Sequence, residues 1–148
     1  MTAVLRLPRS VLERTFAHFR ECGQGRRECQ ALWIGPWTAP ETVTDVVHPK
    51  HAAHVGGFVV DDRWLTDFWL RLSKEKLGVR AQVHTHPGEA FHSKTDDDFP
   101  IVHSIGFLSL VIPHFARGAI GFDDAYLAEI RPDATWREVP ISSRLVIQ

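Results

Sequence analysis

The stretch VRAQVHTH (residues 79–86), ended by Pro87 and Gly88, constrains this chain more than any other. Apolar and polar residues alternate strictly. Val79, Ala81 and Val83 should point one way and Gln82, His84 and His86 the other, the period of a half-buried strand. Two imidazoles at positions i and i+2 share one strand face, roughly 7 Å apart along the chain, and can converge on one ion. A strand is also a stiff mount for such a pair. The segment that follows, GEAFHSKTDDD (88–98), offers carboxylates where a short helix would start. A His-x-His pair alone is more often a polar strand face than a ligand pair, and an acidic triplet alone is usually a helix start. Their joint occurrence, with Pro directly after the second His, points to a metal.

The rest of the chain interleaves helices with strands. Ser10 to Glu13 fits a capping box, and Val11, Leu12, Phe16 and Phe19 lie at helical spacing up to Gly23. ECQALWIG (28–35) reads as a strand closed by Gly35 and Pro36, and TVTDVV (42–47) as a second. HPKHAAHVGG (48–57) reads as a loop. A further helix is capped by Asp61 or Asp62, carries Leu65, Phe68, Trp69 and Leu72 on one stripe, and is stopped by Gly78. GFLSLVI (106–112) is a buried strand, and AYLAEI (125–130) with WREVPI (136–141) forms a hairpin around RPDAT. The predicted class is α/β, one domain with a mixed β-sheet packed with helices.

Composition narrows the function. With 44% hydrophobic and 24% charged residues over 148 positions, the chain can bury a globular core. A formal net charge of −1 supplies no broad basic field for nucleic acid or an anionic membrane. No apolar run approaches the ~20 residues that span a bilayer, and the N-terminus lacks a signal-peptide pattern, so a cytoplasmic location is expected. Cys22 and Cys29 are too few for a disulfide framework, and Cys29 reads as a packing thiol. Among the nine histidines, His48, His51 and His54 read as a solvated loop. His103 and His114 read as structural, and His92 as a loop residue or a contact near the site.

Two histidines, one aspartate and a water complete a four-coordinate zinc site with an open position. Zinc acidifies bound water to near neutral pH and so supplies a nucleophile for carbonyl attack. HTHPGEAFHSKTD resembles the metal motif of the JAMM (MPN-type) metallopeptidases, especially their prokaryotic branch. That pattern is His-x-His-Pro, a short loop, then Ser-x-x-Asp, filled in order by His84, His86, Pro87, Ser93 and Asp96. The loop, Gly88 to His92, is one residue shorter than usual. Asp97 therefore keeps the usual distance from His86, whereas Asp96 keeps the relation to Ser93. Asp96 is the favoured third ligand and Asp97 the alternative.

The resemblance further implies a glutamate general base upstream, opening a strand that ends in Gly. Of Glu13, Glu21, Glu28 and Glu41, Glu28 has the family's spacing to Gly35. Ser93 would donate a hydrogen bond to the developing oxyanion, or simply cap the helix that follows it. The implied fold is the MPN/JAB, cytidine-deaminase-like architecture, the cofactor Zn2+, and the substrate a ubiquitin-like protein or its conjugates. Associated activating and conjugating enzymes would be partners. Two rival expectations are a metal-free scaffold that only binds partners, and a metal hydrolase acting on small-molecule or sulfur-carrier conjugates.

Overall fold

The computed structural model describes residues 4–54, 57–98 and 100–148, with backbone alone for 51–54 and 57–59. In chain order the first elements are β1 (Leu5–Leu7), α1 (Arg9–Gly23), β2 (Gln30–Pro36), β3 (Asp45–Val47), β4 (His51–His54) and β5 (Gly57–Val60). Then come α2 (Asp62–Glu75), β6 (Leu77–Thr85), α3 (Lys94–Asp98), β7 (Leu108–Ile112), β8 (Tyr126–Ile130), β9 (Trp136–Glu138) and β10 (Leu145–Ile147). Six strands form one mixed sheet in the order β3-β2-β6-β7-β8-β9. Only the β6–β7 pair is parallel, and all other neighbours run antiparallel. The α/β reading, a mixed sheet packed with helices, holds.

Each face of the sheet is covered by a helix whose apolar stripe matches it. α1 places Leu12, Phe16 and Phe19 over Ala31, Trp33, Ala81, Val83 and Leu110. α2 places Phe68 and Leu72 over Leu32 and Ile34 on the opposite face. Burial of such side chains contributes roughly 1.5–3 kcal/mol each. Thr15, inside α1, accepts a hydrogen bond from Trp33 Nε1 at 2.9 Å, which satisfies the one polar atom of the buried indole.

Several local expectations are corrected. α1 begins at Arg9 with Pro8 as its cap residue and no side-chain cap bond, so Ser10 and Glu13 form no capping box. Pro8 has the extended backbone of a cap residue but no side-chain oxygen to accept from the first amides. α2 is capped by Asp61, whose carboxylate accepts from Trp64 N, but it ends at Lys76 in the left-handed region, and Gly78 belongs to β6. The alternation of β6 breaks once. Ala81 pairs with Trp33 and Val79 with Ile34, which leaves Arg80 as a bulged residue. Val79 consequently packs with the α2 cluster, while Ala81 and Val83 pack with α1.

HPKHAAHVGG is not a loop throughout. β4 and β5 pair antiparallel as a hairpin, and Val55 and Gly56 lie outside the described residues. The terminal strands β1 and β10 pair in parallel, an association without a local sequence signal. Cys22 and Cys29 form a disulfide, so Cys29 is not the packing thiol that its apolar neighbours suggested. Gly35 is obligatory for space: a Cβ there would lie 2.0 Å from Thr42 O.

Candidate metal centre

The C-terminal end of β6 carries the two histidines. His84 sits between β2 and β7, paired with Gln30 and Val111, and is 1% exposed. His86 follows the strand end. Its amide donates to Ile112 O, its carbonyl accepts from Phe115 N, and the Phe91 ring meets it edge-on at 4.6 Å. Register with Leu32 and Gln82 puts His84 on the α2 side of the sheet, beyond the end of the α2 cluster.

The third side chain arrives through a short cap. Ser93 precedes α3, and its hydroxyl accepts from Asp96 N at 3.1 Å while its amide donates to Asp96 Oδ2 at 2.9 Å. This reciprocal pair is a capping box with aspartate at the third helical position. It fixes the Asp96 carboxylate so that Oδ2 lies 3.2 Å from Nε2 of both His84 and His86. Asp97 turns elsewhere. Its Oδ1 is 2.6 Å from His92 Nδ1.

Charge and burial fit a divalent cation. Burial alone would raise the Asp96 carboxyl, but hydrogen bonds from His84, His86 and the Ser93 amide hold it far below the usual range. Burial pushes the His84 imidazole down, against the pull of Asp96, and so favours the neutral form that binds metals. The ligand-type atoms of His84, His86 and Asp96 all lie within 4.8 Å of one another. A tetrahedral ion with bonds of about 2.0–2.1 Å separates its ligand atoms by roughly 3.3 Å. The two nitrogen–oxygen spacings of 3.2 Å found here are close to that requirement.

Glu28 lies in the lead-in to β2, two residues before the strand itself, and is 7% exposed. Its Oε1 is 3.9 Å from His86 Nε2. Burial pushes its carboxyl up to about 7, with His86 pulling it down and Asp96 adding to the rise. The other upstream glutamates stand apart: Glu13 and Glu21 are exposed, and Glu41 lies 4.0 Å from Arg6.

Residues beyond the predicted ligands and base hold these groups in place, among them His92, which the sequence placed near the site. Thr85, between the two histidines, accepts from Cys29 N at 3.0 Å and donates its own amide to Cys29 O, tying the residue after Glu28 to β6. His92 bridges Asp97 to Ser109. His103 and His114 are exposed rather than buried structural residues, and His18 stacks on His48 at 5.3 Å. No sequence signal marks Thr85 or Ser109, because their partners come from distant segments. Among the described residues, no helix is long and apolar enough to cross a membrane.

No family model matches the chain. Over 143 residues it is 38% identical to the "Probable metalloprotease y4jG" of Sinorhizobium fredii, an alignment that covers 90% of this chain and 86% of that protein. The solution structure of protein DSY2949 from Desulfitobacterium hafniense shares the fold with a TM-score of 0.66 at 17% identity, over 98% of this chain and 93% of that one. The crystal structure of a JAB1/MPN domain protein from Archaeoglobus fulgidus gives a TM-score of 0.56 at 13% identity, over 97% and 98% of the two chains. On a relative this similar over most of both chains, the chain belongs to the family of that probable metalloprotease, and its fold is the one seen in a JAB1/MPN domain protein.

Proposed function

We propose that this protein is a zinc metallopeptidase that cleaves isopeptide or peptide bonds joining a ubiquitin-like modifier to its targets, acting in the cytoplasm. One observation carries the catalytic part: a buried carboxylate, Glu28, beside the His84–His86–Asp96 cluster and raised to about 7. Zinc held by these three side chains supplies Lewis acidity and an acidified water. Glu28 takes a proton at Oε1 and returns it to the leaving amine. A base with a pKa close to the working pH does both efficiently. Ser93 Oγ accepts from Asp96 N, which leaves its own proton to donate to the oxygen of the attacked carbonyl.

The modifier reading rests on the JAMM-type motif and on the sheet. Extended glycine-ended tails bind by adding to a sheet edge, and the six-stranded sheet ends in β3 and β9. Cognate activating and conjugating enzymes are the expected partners. The full set of ligand-type side chains speaks against the metal-free scaffold. The test is a panel of modifier fusions with glycine-ended tails, joined by peptide or by lysine isopeptide bonds and incubated with zinc-loaded protein. Cleavage by the native chain and none by Glu28→Gln at equal zinc content is expected. Turnover by Glu28→Gln would remove the base, and no cleavage of any fusion would remove the substrate class.

A further inference from the structure

The loop that delivers Asp96 is held by a relay of polar side chains that the catalytic reading does not use. His92 sits within this loop, and its side chain is only 3% exposed. One ring nitrogen, Nδ1, is 2.6 Å from Asp97 Oδ1, and the other, Nε2, is 3.1 Å from Ser109 Oγ. Ser109, on β7, accepts in turn from Gln82 Nε2 at 3.0 Å, and Gln82 Oε1 accepts from Ile101 N. Trp136, on β9, packs against the His92 ring at 4.6 Å and donates its Nε1–H to Asp97 O. α3 is thereby anchored through Asp97 to β7 and β9, and β7 to β6, the strand that carries His84.

A five-residue helix buries no side chain of its own and cannot hold a carboxylate in place unaided. Asp96 and Asp97 are adjacent, so fixing one fixes the backbone that aims the other. We infer that His92 is a positioning residue, which clamps α3 to the sheet so that Asp96 meets His84 and His86 at ligand distance. This inference rests on the metal-centre reading. It also explains how a loop shorter than the family pattern delivers its ligand: a buried histidine within the loop substitutes for length with a bond at each ring nitrogen.

The test measures zinc affinity of the full-length chain by competition with a chromophoric chelator, alongside thermal melts of the metal-free protein. Partners one layer behind metal ligands typically contribute 10–100-fold in affinity. His92→Ala and Ser109→Ala are each expected to weaken zinc about 10-fold or more while the metal-free melting temperature changes little. His92→Gln, which can still reach Ser109, should recover part of the loss. The two alanine changes combined should weaken zinc less than the product of the single effects, because both break one chain of bonds. Should both single variants bind zinc within twofold of the native protein, the clamp is overturned. So too if the metal-free melt falls while zinc affinity holds, which is what a merely structural histidine would do. A native chain that binds no zinc would instead remove the metal-centre reading itself.

Discussion

The amide of Ser93 donates to the Asp96 carboxylate while the Ser93 hydroxyl accepts from the Asp96 amide, so two residues three apart each satisfy the other. The Ser-x-x-Asp spacing is thus a helix cap before it is anything else, and the cap aims the carboxylate at the imidazoles. Removing the hydroxyl with Ser93→Ala should cost about 1 kcal/mol of local stability. At saturating zinc, kcat should fall about 10²–10³-fold if the same hydroxyl donates to the reacting carbonyl. Ser93→Thr keeps both functions and should stay near native activity. Zinc titration followed by kcat at saturating metal separates the roles, and an unchanged kcat in Ser93→Ala would leave Ser93 as a cap alone.

Glu28 makes the pH dependence testable with its sign. Its carboxyl titrates at about 7 in the folded metal-free protein against an ordinary 4.5. The folded state therefore holds this proton more tightly than the unfolded one. That contribution is complete below 4.5 and is lost as pH rises through about 7. Metal-free native protein should lose stability relative to Glu28→Gln across this window, as read by paired thermal melts. A bound dication favours the carboxylate, so the acid limb of activity in the zinc-loaded enzyme should fall below about 7. A gap between the two melts that stays constant with pH would show that Glu28 is solvated.

The Cys22–Cys29 disulfide closes a short loop, with a sequence separation of 7, immediately before the β2 lead-in. Chain-entropy reasoning gives about 2 kcal/mol for a loop of this size. For a chain of this length that is a drop of about 5 °C in melting temperature on reduction. Cys22→Ser should reproduce the drop and keep zinc affinity, because Cys29 still exchanges backbone bonds with Thr85. Two free thiols in the unreduced, denatured protein would show that the bridge is absent.

Gly35→Ala tests the strand end. The new methyl would collide with a backbone oxygen rather than with a flexible side chain, so β2 and the Thr42 segment must separate. A loss of about 3 kcal/mol is expected from overpacking of this kind, checked by urea denaturation. A variant as stable as the native chain would mean that the segment beside Gly35 yields freely.

The periodic and punctuated parts of the fold were legible in the sequence: the α1 stripe, the α2 stripe apart from Trp69, which is exposed, the strands from β6 to β9, and the convergence of His84 and His86. These follow from local sterics and from apolar residues seeking one side, which neighbours along the chain encode directly. Asp96 and Asp97 were not separable at that level, since both lie in the first turn of α3 at plausible reach. Only the folded chain decides between them, because His92 takes one carboxylate and the Ser93 cap turns the other inward. The Arg80 bulge, the disulfide, the β1–β10 pairing and the burial that raises Glu28 belong to the same class. Each depends on which distant segment ends up alongside, and desolvation and long-range pairing leave no periodic trace in the residues themselves.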